Sequence, residues 1–212
     1  MTSGERVCVL AAVALAAAAG AHAGPDWTVG LKGGPCMATL GGDDAGDAST
    51  RTSFGGGLFA QGEFSENVAL RFEGLFLHKG ADFDAGGVDE ELSLDYFELP
   101  LLFVYQYPVS LETTLSAFAG PTIAVNMGAE YESRFGNSTV TDDVDDEFSD
   151  LDLGLAIGAG ASFAVRTVVI GFDARFDLGL TGVGEDDVPG AQLEVKNRAW
   201  LILASLGFPL SR

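Results

Sequence analysis

The chain is poor in the residues that form disulfides, metal centres and nucleic-acid-binding surfaces. Its 212 residues include two Cys, two His and 11 Lys+Arg against 31 Asp+Glu, and the formal net charge is −20. So few basic residues cannot form the positive stripe that nucleic acid requires, and we expect no nucleic-acid partner. His78 is the only histidine beyond residue 23, which excludes a cluster of histidine ligands. We therefore expect no metal centre and no cofactor.

Long apolar runs are also missing after the first 23 residues. Residues 1–6 form a short basic segment, 7–20 an Ala-rich apolar run, and Ala21-His22-Ala23 a small-residue cleavage site. The run is shorter than the about 20 residues of a membrane-spanning helix. We predict a signal peptide over 1–23 and one β-barrel domain over 24–212. Cys36 is then the only mature cysteine, so no internal disulfide can form.

The mature chain instead contains many segments that alternate apolar and polar residues. In Val168–Leu180 every second residue is apolar, and charged residues stand between them. Val68–Lys79 and Leu151–Phe163 repeat this period of two, which is typical of strands with two different faces. Weaker alternation predicts five more strands, at Trp27–Gly33, Phe54–Phe64, Leu92–Tyr107, Leu115–Asn126 and Asn197–Phe208. No helix is predicted, so the fold is all-β with eight strands.

The predicted connections alternate between short and long. Short ones lie at 65–67, 108–113 and 165–167, and long ones at 41–51, 81–92, 128–150 and 181–195. The long connections hold 3, 5, 8 and 4 acidic residues, so 20 of the 30 mature acids lie in them. Short turns on one side and long polar loops on the other are typical of outer-membrane barrels. We predict an eight-stranded antiparallel up-and-down transmembrane β-barrel in a bacterial outer membrane, with periplasmic termini and extracellular long loops.

The chemistry of the two strand faces favours a membrane barrel over a soluble one. A soluble lipocalin-like binder would turn its apolar face inward, whereas a membrane barrel turns it toward lipid. The polar face carries both signs of charge together with small residues, which suits a narrow interior filled with paired ions. We predict a luminal charge network of Lys32, Arg71, Glu73, Glu98, Asp173, Arg175 and Asp177.

Aromatic residues stand near the ends of the apolar faces, as in the girdles of membrane barrels. The predicted membrane-interface aromatics near the short turns are Phe64, Tyr105, Tyr107, Phe163 and Phe208. Tyr96 and Trp200 are predicted to lie at the interface toward the long loops.

Four short stretches resemble the PorT-like outer-membrane β-barrel family, small Gly-rich barrels of Gram-negative-type bacteria. They are Gly30-Leu31-Lys32-Gly33-Gly34, Tyr96-Phe97-Glu98-Leu99-Pro100-Leu101-Leu102, Ala119-Gly120-Pro121 and Leu206-Gly207-Phe208. The resemblance implies an eight-stranded barrel with periplasmic ends and implies little about activity. One departure is that four residues follow Phe208, where such barrels usually end on the aromatic.

These features predict a structural or interaction role, with a side-chain-filled lumen and long acidic loops. Outer-membrane lipid and lipopolysaccharide are the expected partners of a monomeric barrel, with a surface protein or ligand possible at the loops. A narrow porin-like diffusion channel is the first alternative, and a soluble lipocalin-like binder is another. A third is an interfacial lipid-modifying enzyme that uses His78 with Ser93, although no activating motif surrounds either residue.

An acidic run could bind divalent cations, because calcium is coordinated by clustered carboxylates. Its members are Asp142, Asp143, Asp145, Asp146 and Glu147. The spacing of an EF-hand is absent, and a solvated acidic loop is the favoured interpretation.

One local irregularity falls in the fourth strand. Pro100 interrupts it, and Glu98 and Leu99 break its alternation. We predict a β-bulge at this point.

Overall fold

The computed structural model describes residues 26–41, 50–84, 89–135, 138–143, 151–181 and 196–210, with side chains described at 26–39, 50–79, 94–128, 151–181 and 198–210. The predicted signal peptide lies outside this part of the chain. The described residues form nine strands: β1 (Asp26–Gly41), β2 (Arg51–Ser65), β3 (Val68–Asp84), β4 (Asp89–Pro108), β5 (Thr113–Phe135), β6 (Ser138–Asp143), β7 (Leu151–Val165), β8 (Val168–Gly179) and β9 (Lys196–Leu210). In the described residues, no helix has the length and hydropathy needed to cross a membrane.

Eight of the strands close into an antiparallel barrel, which confirms the predicted fold class. The sheet runs in the order β4-β3-β2-β1-β9-β8-β7-β5-β6, and pairing of β4 with β5 closes it. β6 lies outside the closed ring, where it pairs with β5. The turn end of the barrel is the end that carries the connections 66–67, 109–112 and 166–167, and the far end is opposite.

Two of the hairpins extend farther from the barrel than the sequence predicted. The prediction of loops over 81–92 and 128–150 is wrong in part, because β3 pairs with β4 as far as Asp84 and Asp89. β5 likewise continues to Phe135 and pairs with β6. Antiparallel backbone pairing needs no alternation of side chains, so these extensions carry no hydrophobic pattern that would reveal them.

The predicted β-bulge at Pro100 is wrong. The β4–β5 register continues from Pro100↔Thr122 to Phe103↔Ala119 without a shift. Proline removes a hydrogen-bond donor from a ladder without adding a residue, so pairing is interrupted but its register is kept. The register shift lies instead at Asp95/Tyr96, where β5 contributes one additional residue.

Side chains alternate between the outside and the inside of the barrel along each strand, except at register shifts. On β3, Phe72 and Phe76 are exposed on the outer face, while Arg71 and Glu73 are buried inside. The same arrangement of apolar residues outside and charges inside recurs on β8, whereas the inward side chains of β9 are apolar or small. A lipocalin-like binder requires the reverse, so that alternative is wrong.

Two glycines mark places where neighbouring strands approach closely. A Cβ atom added at Gly34 would collide with the carbonyl oxygen of Ile202, and one at Gly120 with that of Leu101. A narrow eight-stranded barrel curves strongly and crowds its inner surface, so a residue without a side chain fits at these positions.

Apolar side chains also occupy part of the interior. One buried cluster joins β1, β3 and β9 and consists of Cys36, Ala38, Leu75, Leu77, Ala199, Leu201 and Leu203. A second consists of Ala69, Leu102, Val104, Phe118 and Ala156. They exclude water from the interior charges, which strengthens the electrostatic interactions there.

Candidate functional site: a charged network inside the barrel

Eight ionisable side chains meet in the barrel interior. They are the cations Lys32, Arg71, Lys79 and Arg175 and the carboxylates Glu73, Glu98, Asp173 and Asp177. Strand alternation turns each of them inward from β1, β3, β4 or β8. Four positive and four negative charges sum to zero, so the excess of −20 on the chain is carried elsewhere.

The half of this network nearer the turn end is organised around Asp173. The Lys32 ammonium lies 2.8 Å from Asp173 Oδ2 and 2.6 Å from Glu73 Oε1. Arg71 Nη1 lies 2.9 Å from Asp173 Oδ2, and Arg71 Nε donates to Gln61 Oε1 at 2.8 Å. The cations from β1 and β3 therefore meet a carboxylate of β8 across the interior.

Arg175 joins the two halves of the network. Its side chain is 1% exposed, and its Nη1 donates to Glu73 Oε2 at 2.8 Å. Its Nη2 donates to Glu98 Oε1 and to Asp177 Oδ2, both at 2.7 Å. Lys79 Nζ then donates to Glu98 Oε2 at 2.6 Å. The ion pairs consequently form one connected chain from Asp173 to Lys79.

Aromatic rings cover three of the four cations. Lys32 Nζ lies 5.6 Å from the centre of the Phe59 ring, and Lys79 Nζ lies 5.5 Å from that of Tyr96. The Arg71 guanidinium lies 5.3 Å from the Phe118 ring. Cation–π attraction of this kind is strongest where water is excluded, so these rings stabilise the cations within the barrel.

All seven residues predicted for the luminal network lie within it, and the structure adds Lys79 and Gln61. Lys79 has the same strand parity as Arg71 and Glu73, so the period of two was the signal that could have included it. Gln61 is uncharged and is brought in by its hydrogen bond to Arg71. No feature of the local sequence distinguishes it from other polar residues.

The predicted interface aromatics divide into two groups. Six have their rings exposed on the outer face of the barrel: Phe64, Tyr105, Tyr107, Phe163, Trp200 and Phe208. Tyr96 is 1% exposed and lies inside, so its prediction as an interface residue is wrong. The even positions of β4 face inward, and Tyr96 shares that parity with Glu98.

His78 lies on the outer face near the far end. The nearest partner of its ring among the described side chains is Asp95, whose Oδ1 contacts His78 Nδ1. Both side chains are more than half exposed. Ser93, the predicted partner of His78, pairs through its backbone with Gly80, and its side chain lies outside the described part.

The acidic run considered for divalent cations also lies beyond the described side chains. The backbones of Asp142 and Asp143 end β6, and Asp145, Asp146 and Glu147 lie outside the described residues altogether. Among the residues that are described, no group of three or more His, Cys, Asp or Glu is arranged to hold a metal ion.

Comparison with known proteins agrees with this geometry. Residues 21–184 match the family described as outer membrane protein beta-barrel domain. The chain belongs to this family. Its members are placed by that description in the bacterial outer membrane, where barrels have an apolar outer face and a polar interior. No curated protein sequence matches the chain.

Solved structures share the fold at low sequence identity. A major outer membrane protein of Thermus thermophilus is 16% identical with a TM-score of 0.53, covering 89% of this chain and 100% of that one. Neisserial surface protein A is 13% identical with a TM-score of 0.50, covering 86% of this chain and 96% of that one. At these identities the likeness extends to the fold alone.

Proposed function

We propose that this protein is a non-enzymatic, monomeric outer-membrane barrel with a structural or interaction role. The barrel holds the chain in the membrane, in contact with lipid and lipopolysaccharide. Its acidic connections at the far end then meet partners outside the cell. The observation that carries this proposal is the connected network of eight buried charges. A filled interior leaves only the ends and the outer face of the barrel for contact with partners.

Packing around the network supports a closed interior. Beside Glu98 and Asp177, the void toward the far end measures about 10 Å³, which is the space of about one water molecule. Eight strands also enclose an interior that side chains can fill. A narrow diffusion channel remains the second candidate, because a larger cavity lies on the turn side of the network.

The distribution of acidic residues supports the proposed orientation. Twenty of the 30 acids after residue 23 lie in or beside the connections of the far end. Long polar loops of outer-membrane barrels face outward and short turns face the periplasm. We therefore propose that 1–23 is removed as a signal peptide and that the turn end faces the periplasm. Membership of the PorT-like group remains a proposal that rests on the four short stretches.

A lipid-modifying activity at His78 has less support. Among described side chains its ring contacts a carboxylate and no hydroxyl or thiol that could act as a nucleophile. An outward histidine paired with an aspartate is equally suited to the interface between lipid and water. Loss of lipid modification in a His78→Ala variant would establish the enzyme in place of the interaction role.

Cysteine labelling on whole cells tests the proposed orientation. In a Cys36→Ser background, we expect a membrane-impermeant maleimide to label Ala45→Cys, in the connection between β1 and β2, on intact cells. Glu66→Cys, in the exposed turn between β2 and β3, should be labelled only after the outer membrane is permeabilised. The mass of the purified protein should correspond to a chain beginning at Gly24.

The reverse labelling pattern would overturn the proposal, because the acidic connections would then face the periplasm. Equal labelling at both sites on intact cells would mean that the barrel is not inserted in one orientation. The Cys36→Ser parent, whose other mature residues offer no thiol, is the control for background labelling.

A further inference from the structure

A polar cavity of about 210 Å³ opens at the turn end and is separate from the far-end connections. Its deep side is formed by Lys32, Arg71 and Asp173 of the charged network. Its mouth is lined by the exposed residues Glu63 and Glu112, and serine and threonine hydroxyls line the wall between. The cavity can hold several waters or a small solute.

The cavity is electrically polarised along its depth. Of the donors on its floor, Arg71 uses Nε and Nη1 in its described hydrogen bonds, which leaves Nη2 for another acceptor. Lys32 uses two of the three hydrogens of its ammonium group. At the mouth, neither the Glu63 nor the Glu112 carboxylate has a hydrogen bond or ion pair with a described residue. Two cations with spare donors therefore lie at the floor beside Asp173, and carboxylates without a described partner stand at the entrance.

The spacing of these groups sets the size of a matching ligand. Gln61 lies opposite Arg71, and Glu63 is two residues farther along β2 toward the turn end. Two residues of a strand span about 7 Å, so the backbone positions of the mouth and floor on β2 are about this far apart. An extended dipeptide spans about the same length and carries an ammonium at one end and a carboxylate at the other.

We propose that this cavity binds a dipeptide-sized zwitterion. Its carboxylate lies against Arg71 and Lys32, its ammonium between Glu63 and Glu112, and its amide against the wall hydroxyls. The proposal depends neither on the orientation of the barrel nor on the partners of its far end.

Three probes with the same backbone separate recognition of a zwitterion from simple charge attraction. Binding to the wild-type barrel in lipid nanodiscs is measured by calorimetry at low ionic strength. L-Ala-L-Ala carries both charges, N-propionyl-L-alanine lacks the ammonium, and L-alanine ethylamide lacks the carboxylate. We expect L-Ala-L-Ala to bind about tenfold more tightly than either analogue, since a charged hydrogen bond is lost in each. Equal affinities, or no binding of L-Ala-L-Ala at millimolar concentration, would overturn the proposal.

Variants at the mouth test the site itself without touching the buried network. Glu63→Gln combined with Glu112→Gln should weaken the binding of L-Ala-L-Ala about tenfold. The same change should not weaken the binding of N-propionyl-L-alanine, an anion that gains from the loss of negative charge at the mouth. Glu66→Gln removes an exposed acid of the same end that does not line the cavity, and it should bind like wild type. Glu66→Gln could instead lower the affinity for L-Ala-L-Ala as much as the mouth variant does. Binding would then depend on long-range charge attraction, and the assigned site would be wrong.

Discussion

Replacing Arg175 by methionine should lower the free energy of unfolding by about 3–5 kcal/mol, because it leaves buried carboxylates without their shared cation. Arg175 contacts Glu73, Glu98 and Asp177, and its side chain is 1% exposed. In the variant, Glu98 still has its ion pair with Lys79, and Glu73 still has its ion pair with Lys32. Asp177 loses the only described ion pair that it makes, so most of the cost should arise there. Reversible urea unfolding in lipid vesicles measures the change.

A second substitution should partly reverse this loss. Adding Asp177→Asn to Arg175→Met removes the carboxylate that lost its cation, so the double variant should be more stable than Arg175→Met alone. The corresponding cycle with Glu98→Gln should give a non-zero coupling energy, because Arg175 and Glu98 are in direct contact. Arg198→Met removes an exposed arginine of β9 and should change stability by less than about 1 kcal/mol. A similar loss from both arginine variants, with zero coupling, would mean that the interior charges are separately hydrated.

A charge placed on the outer face should be costly at mid-height and tolerated near the ends. Ile202 faces outward on β9, one residue beyond Leu201, which lies opposite the buried Arg175. In a bilayer, Ile202→Arg should lower the free energy of unfolding by about 2–4 kcal/mol, as expected for arginine near the midplane. Unfolding from vesicles of a defined phosphatidylcholine measures it.

Leu210→Arg provides the matched control on the same strand. Leu210 has a similar outward exposure, but it lies at the turn end opposite Trp27. Its substitution should cost only about 0–1 kcal/mol, because arginine there reaches the headgroup region. Equal costs at the two positions would show that the outer face does not cross a hydrocarbon layer.

The inward position of most charges could be predicted from the sequence, because charge alternates with apolar residues along a single strand. Arg71 and Glu73 on β3, and Asp173 and Arg175 on β8, each follow a period of two that any strand must preserve. The face that meets lipid was also predictable, since the opposite face carries both signs of charge with small residues, which suits a narrow interior of paired ions. The contacts among the inward charges depend on barrel closure, which brings β1, β3 and β8 around one narrow interior.

The sequence was less informative where both strand faces are apolar. Around Tyr96, β4 carries apolar residues inside and outside, because the interior near the network is partly filled by leucines such as Leu75 and Leu77. Alternation is then too weak to assign Tyr96 to a face. The register shift at Asp95/Tyr96 depends on an additional residue of β5, so β4 alone holds no sign of it. Pairing between strands, which local pattern does not encode, decides this register shift.

Conductance in planar lipid bilayers tests the central claim most directly, namely that paired charges close the interior of this membrane barrel. The account predicts that purified wild-type protein, inserted as a folded barrel, gives no discrete current steps above those of protein-free bilayers. Heat-dependent migration of the same sample on a gel verifies that the barrel is folded. Steady ohmic steps from the wild-type barrel would contradict the account and establish the diffusion channel.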